Sequence, residues 1–355
     1  MRLSCDLLVV GLGPAGGSAA LAAASRGLNV VAVERKRKIG VPVQCAEFVP
    51  LPMGRWTRAA GVLQQRVAGM NTFLPSGASA HTAFPGLMID RAAFDRAIAR
   101  DAERAGARIL LGARLLDFDS DARVARVGHD DGAFEVEFRL AVAADGPHSR
   151  LADAIGLQPL TTVDTRQYTV PLHRPGADTD IWLSQAYPGG YAWLFPKGDV
   201  ANLGLGADRR IAPDLKLPLE QLRGRLAGQG IVGRDVLGRT GGAIPVGGIR
   251  ERLVAGPVLL AGDAAGLTHP LTGAGIPAAV ISGDRAGEAA AEFLAGGKAG
   301  ALADFEEDVR DQFEDSVARA VRRRQAMNAE WRAPSARTDT FHRRGWIAFA
   351  EYFSA

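Results

Sequence analysis

Three acidic residues in this chain stand at the ends of short apolar runs, two of them beside glycine: Glu34 after Asn29 to Val33, Asp145 before Gly146, and Asp263 after Gly262. A carboxylate at the end of a buried strand accepts hydrogen bonds from the hydroxyls of a sugar or sugar alcohol, and glycine beside it lets backbone approach a bulky ligand. The first of these carboxylates has the fullest context. Asp6 to Val10 is an apolar run of buried-strand type, followed by GLGPAGG at 11–17 and an alanine-rich stretch to Arg26, which Gly27 ends. Gly11 permits the tight turn, Gly13 the approach of a pyrophosphate, and Gly16 the packing of helix on strand. Pro14 and Ala15 open the helix, whose N-terminal amides and dipole favour phosphate. Glu34, with Arg35 beside it, is placed to meet the ribose hydroxyls. Strand, glycine turn, helix, strand and acid together point to a dinucleotide, leaving NAD and FAD both open.

Later segments decide between them. Residues 141–151, AVAADGPHSRL, read as a strand ending in Asp145-Gly146 and a turn. Residues 257–276, PVLLAGDAAGLTHPLTGAGI, read as a strand, Gly262-Asp263, a small-residue turn with Pro270, and a glycine-rich entry to a helix from about Ala274, which includes Ile276. Asp263 suits a ribityl chain. Gly273 and Gly275 let the helix begin against a flat ring, where its amides would stabilise a reduced flavin.

With these motifs in this order, residues 6 to about 295 resemble the FAD-dependent oxidoreductases of the p-hydroxybenzoate hydroxylase type. Residues 90–106, DRAAFDRAIARDAERAG, are similar to a helix of that superfamily, which places Arg91 near the cofactor. There is no second strand–GxGxxG–helix unit for NADPH and no CxxC or CxxxxC pair. NADPH or another reductant would therefore visit the FAD transiently.

A further string narrows the resemblance. In YPGGYAWLFPKGDVANLGLG, residues 187–206, Tyr191, Trp193 and Phe195 alternate on one strand face before a turn and a returning strand. The string resembles the YxWxFP signature of the geranylgeranyl reductase family, whose hairpin lines the substrate cavity. GVPVQCAEFV, residues 40–49, resembles the family's cysteine loop through Pro42 and Cys45, and departs from it at Ala46 and Phe48, where glycine is common. The resemblance implies hydride transfer from reduced FAD to a C=C bond in an apolar substrate, with an acid protonating the other carbon. Cys45, Tyr191 and His269 are the proton-donor candidates, with Cys45 also at the cofactor, and Tyr191, Trp193 and Phe195 form the substrate wall. Two other classes share the flavin motifs: a monooxygenase, and an electron-transfer flavoprotein without a small substrate.

The rest of the chain must position these groups. It has 355 residues and 43 glycines, and its make-up of 47% hydrophobic and 23% charged residues excludes general disorder and gives no support to a multi-span membrane protein. A net charge of +3 with no basic stripe gives no support to a nucleic-acid partner. Two cysteines make neither a disulfide framework nor a zinc site, and the glycines at 11–17 interrupt the apolar N-terminal stretch, so a soluble cytoplasmic protein is expected. Acids at 304–315 precede arginines at 319–344, which suits the dipole of a helix over roughly 300–331. Beyond it, Phe341, Trp346, Phe349, Tyr352 and Phe353 either pack under a basic face or make a peripheral membrane contact. The expected fold is mixed α/β. A Rossmann-like FAD-binding domain takes residues 1–75, 85–158 and 246–300, an antiparallel-sheet substrate domain 159–245, and a helical region 301–355. Oligomeric state is not readable.

Overall fold

Leu7–Val10, Val30–Glu34, Leu140–Ala143 and Val258–Leu260 are apolar but for the terminal Glu34 and buried on both faces, the pattern of strands covered from two sides. In the computed structural model, which describes residues 2–296 and 298–354, they lie side by side in a six-stranded sheet. Leu7–Val10 is central, paired in parallel with Val30–Glu34 on one side and Leu140–Ala143 on the other. Arg108–Leu111 and the pair Val258–Leu260 and Val254–Ala255 extend the two edges.

Among the described residues seven α-helices surround the sheets: α1 (Pro14–Ala24), α2 (Arg91–Arg104), α3 (Arg150–Ala154), α4 (Lys216–Gly228), α5 (Ile276–Leu294), α6 (Ala301–Glu330) and α7 (Asp339–Arg344). The N- and C-terminal parts of the nucleotide-binding unit join where α5 lies on α1. A Cβ at Gly283 would fall 2.1 Å from the Ala15 carbonyl oxygen, and one at Gly287 would fall 2.4 Å from that of Ala19. Side chains at these two positions would push the helices apart. No helix among the described residues is long and apolar enough to cross a membrane.

The second large sheet has nine strands. Tyr191–Lys197 and Val200–Ala207 pair as the expected hairpin, with Tyr191 opposite Gly206 and Phe195 opposite Asn202. Period-two alternation sends Ala192 and Leu194 to one face, under Leu219, Leu222 and Leu226 of α4, and Tyr191, Trp193 and Phe195 to the other.

One expectation is corrected here. The sheet is not confined to residues 159–245: Phe48–Pro50, Leu63–Phe73 and Ser79–Ile89 belong to it, although most of that stretch reads as part of the nucleotide-binding unit. Asp178–Trp182 accepts Leu63–Phe73 in parallel register, Ile181 opposite Thr72, so the sheet is mixed. Pro85 and a register shift between Val67 and Gly69 blur the alternation that would have marked these long strands. Most of the C-terminal aromatics take the packed alternative. Phe341, Trp346, Phe349 and Tyr352 are each 5% exposed or less; Phe353 alone is exposed, at 59%. Trp346 and Phe349 share a core cluster with Trp193 and Phe195, so these two rings pack inside the protein.

Candidate functional site

The glycine turn is built as its spacing requires. Gly11 has φ +93°, and a Cβ there would strike the Ala144 carbonyl oxygen at 2.5 Å, so the turn lies against the start of the Asp145-Gly146 segment. Glu34 receives the Leu12 N–H at 2.9 Å and the Lys36 N–H at 2.8 Å, which fixes its carboxylate at the mouth of the turn. Gly13 caps α1 without a side-chain hydrogen bond, and a Cβ on it would meet only the Arg91 guanidinium, 3.8 Å away. Pro14, Ala15 and Gly16 are buried in the first turn of α1. Arg35 is exposed.

Asp263 lies on the turn after Val258–Leu260 and accepts the Thr268 hydroxyl at 2.5 Å. Burial raises its pKa, against the lowering effect of Thr268 and Arg91. Gly275 leaves the α5 N-terminus without a side-chain cap, as Gly13 does for α1, and its Cα side faces Asp263, whose Oδ1 would be 3.2 Å from an added Cβ. Ile276 and Gly262 are buried beside it. These are features a dinucleotide needs: two uncapped helix N-termini, open glycines and carboxylates at strand ends. Asp145 behaves differently. Its carboxylate accepts Ser149 Oγ, Arg150 N–H and Leu151 N–H, so it organises the entry to α3 and shapes the turn beneath Gly11.

The three proton-donor candidates separate clearly. Tyr191 donates its hydroxyl to the Thr272 carbonyl at 2.5 Å, and burial raises its pKa, so its one proton is held within the protein. That bond ties the aromatic strand to the Pro270–Gly273 loop. His269 Nδ1 accepts the Thr272 N–H at 3.3 Å, and burial brings the imidazole down to about 4. It is neutral at pH 7 and braces the same loop. Cys45 is half-buried, its Sγ accepting the Glu47 N–H at 3.2 Å. Burial raises its pKa even with Arg91 opposing, so the thiol keeps its proton.

The Cys45 loop is joined to the aromatic wall by residues that the motif reading passed over. Gln167 donates to the Cys45 carbonyl at 2.9 Å while accepting Trp193 Nε1–H at 3.0 Å. Asn202 donates to the Ala46 carbonyl and to Glu47 Oε2. Glu47, 4% exposed, also accepts Lys197 Nζ at 2.6 Å and the Arg91 N–H at 2.8 Å. It has φ +69°, the left-handed region, a conformation a non-glycine side chain holds only where its surroundings enforce it. The signal in the sequence was faint: Asn202 is an isolated polar residue within an otherwise apolar strand, while Gln167 sits in a strand already rich in polar residues. Phe48, the departure from glycine, fills the floor of the wall, its ring 6.0 Å from Phe195 and 5.7 Å from Phe84. Trp346 closes the other end, 4.8 Å from Tyr191.

Known proteins place this architecture. The chain matches the family FAD dependent oxidoreductase over residues 6–146, the Geranylgeranyl reductase catalytic domain over 165–223, and the Lycopene cyclase protein family over 210–344. It is 38% identical to Digeranylgeranylglycerophospholipid reductase 1 of Methanopyrus kandleri over 316 residues, covering 81% of each chain. The crystal structure of a geranylgeranyl bacteriochlorophyll reductase-like protein from Thermoplasma acidophilum superposes with a TM-score of 0.84 at 25% identity, covering 93% of this chain and 91% of that one. A myxobacterial FAD-dependent chondrochloren halogenase shares the fold, with a TM-score of 0.74 at 20% identity over 95% of this chain and 86% of its own. With its glycine turn, its cysteine loop and its aromatic strand in the same order and architecture, the chain belongs to the geranylgeranyl reductase family of FAD-dependent oxidoreductases.

Proposed function

We propose that this protein saturates C=C bonds in the prenyl chain of an apolar lipid, with Cys45 delivering the proton. The observation that carries the reading is the Gln167 bridge. One side chain fixes both the Trp193 indole and the Cys45 carbonyl, so the wall that would hold an alkene and the thiol that would protonate it are set relative to each other. The relative from Methanopyrus kandleri is named as a reductase of a digeranylgeranyl glycerophospholipid, which supports a prenyl chain as the substrate.

FAD, when bound, supplies the hydride. Gly11, Gly13, Gly16, Glu34, Arg91, Asp263 and Gly275 would hold it, and the α5 N-terminus would stabilise the negative charge of its reduced form. The protein contributes the rest. Tyr191, Trp193, Phe195 and Phe48, whose rings are tilted against one another, would exclude water and give the chain an apolar wall. The thiol of Cys45, kept protonated by burial, gives its proton to the carbon that the hydride does not reach. NADPH or another reductant would restore the cofactor from solution. A peripheral lipid contact, on this reading, falls to Phe353, whose ring lies beneath the Arg319 guanidinium.

The test is anaerobic. The photoreduced FAD-loaded protein is mixed with a prenyl lipid, and flavin reoxidation with matching loss of C=C bonds is expected. Absence of anaerobic turnover together with oxygen-dependent hydroxylation would overturn the reading in favour of a monooxygenase. Rapid electron exchange with a protein donor and no change in the lipid would overturn it in favour of electron transfer.

A further inference from the structure

Arg324 of α6 is 5% exposed and lies behind the aromatic wall. Its Nη1 donates to the Gly189 carbonyl and, at 3.2 Å, to that of Pro270. Its Nη2 is buried and has no hydrogen-bond partner, and the same is true of Asn328 Oδ1 one helical turn along. The two atoms converge on Gly189, where a Cβ would lie 2.7 Å from Nη2 and 2.8 Å from Oδ1. Among the described residues no carboxylate comes within ion-pair distance of Arg324. Asp208, whose charge acts on it, is engaged by Arg210 at 2.6 Å. Burial lowers the guanidinium to about 10, so it is charged at neutral pH.

A buried cation satisfied only by carbonyl dipoles is expensive unless something of opposite charge completes the site. Beside it is a cavity of about 20 Å³, lined by Gly190, Tyr191, Leu271, Met327, Trp331 and Trp346. That is space for one water-sized atom. Met327 also forms a wall of a second cavity of about 50 Å³ that includes Arg323 and Arg344. The other polar groups at the first cavity are already used: Trp331 Nε1 donates to the Gln185 carbonyl, and His342 bonds the Ala336 carbonyl, with its pKa lowered by burial.

We propose that Arg324 and Asn328 form an oxyanion subsite for the phosphate at the polar end of the substrate, one phosphate oxygen entering the cavity behind Tyr191. The assignment to the substrate rests on the prenyl-lipid reading above; the oxyanion chemistry does not. The Asn328 amide can present its NH₂ in place of its oxygen by rotating, giving two converging donors. Met327, flexible and unbranched, is the side chain between this subsite and the arginine-lined second cavity.

The test uses the FAD-loaded protein, inorganic phosphate and two substrates, a prenyl phosphate and the matching prenyl alcohol. Phosphate at millimolar concentration is expected to raise the melting temperature by several degrees where chloride at equal ionic strength does not. Asn328→Asp, which supplies a carboxylate to Arg324 internally, is expected to fold at least as stably as the parent and to lose that shift. The KM ratio of alcohol to phosphate is expected to be ten or more in the parent and near one in Asn328→Asp. Arg324→Gln, if it folds, should behave likewise. No phosphate-specific shift in the parent, or an unchanged shift in Asn328→Asp, overturns the subsite. A phosphate shift with a KM ratio near one in the parent overturns the head-group assignment, leaving a site for free phosphate. If neither substrate is reduced, the prenyl reading fails, while the phosphate titration still decides the subsite.

Discussion

Lys197 Nζ lies 2.6 Å from Glu47 Oε2, joining the last residue of the aromatic strand to the loop that carries Cys45. Both side chains are largely removed from water, at 17% and 5% exposure. Asn202 and the Arg91 amide complete the carboxylate's partners. The pair therefore acts as a clamp between the substrate wall and the cysteine.

Removing one member of such a pair leaves the other buried and uncompensated. Glu47→Gln and Lys197→Met are each expected to destabilise by about 3–5 kcal/mol, with a coupling of about 1–3 kcal/mol in the double variant. Urea unfolding of the four proteins measures this. Strictly additive effects would show that the two residues do not act together. Glu47→Gln is also expected to lower kcat more than it raises KM, since it would let the thiol drift while leaving the wall in place.

Cys45→Ala is expected to lower alkene reduction by about 10²- to 10⁴-fold while FAD still binds, measured by single-turnover reoxidation and flavin absorbance. The pH dependence has a definite sign. The active form is the thiol, and burial raises its pKa above the usual thiol range, so the rate should be level through neutral pH. It should fall only above roughly pH 8.5, the ordinary thiol value. In Cys45→Ala that alkaline limb should vanish; its persistence would assign the proton to another group.

His269 is expected to make a pH-dependent contribution to stability. Its folded pKa of about 4 lies below the unfolded value of 6.5, so between these values the unfolded chain binds the extra proton. Its share of stability is fully present above pH 6.5, is lost as pH falls through that window, and changes no further below pH 4. At 1.36 kcal/mol per unit this is at most about 3 kcal/mol. Unfolding of His269→Asn at pH 7 and pH 4.5 should show a smaller loss than the parent. A turnover limb near pH 6.5 that disappears in this variant would instead restore His269 as a proton donor.

Trp346 packs on Tyr191 and donates its indole N–H to Thr72 Oγ1 at 3.2 Å. Trp346→Ala is expected to destabilise by about 3–5 kcal/mol and to raise KM for a prenyl substrate, because it leaves a hole at the end of the wall. Calorimetry and steady-state kinetics test this. Phe353→Ser, at the exposed ring, should leave the melting temperature within a degree or two and lower liposome binding; unchanged binding would remove the lipid contact.

Local sequence was sufficient wherever neighbours along the chain do the work. Gly11 to Glu34 reads as strand, turn, helix and strand because turn geometry, helix capping and apolar runs are short-range effects, and the alternation of Tyr191, Trp193 and Phe195 on one face follows from the two-residue repeat of a strand. Long-range pairing is another matter. Leu63–Phe73 joins Asp178–Trp182 in parallel, a contact across more than a hundred residues that no local pattern encodes. Asp145 shows the same limit on a smaller scale, since its carboxylate accepts the amides of α3, contacts that its motif does not announce. Cys45, Tyr191 and His269 were equal candidates as residue types. Only the tertiary structure shows their different surroundings, because burial and the carbonyl, amide or guanidinium each group meets are set by long-range packing. The sequence by itself determined the cofactor-binding turn, the aromatic face and the family. The fold decided the clamp of Glu47 and Lys197, the Gln167 bridge and the unpaired Arg324, each made by side chains that become neighbours only when distant strands and helices pack.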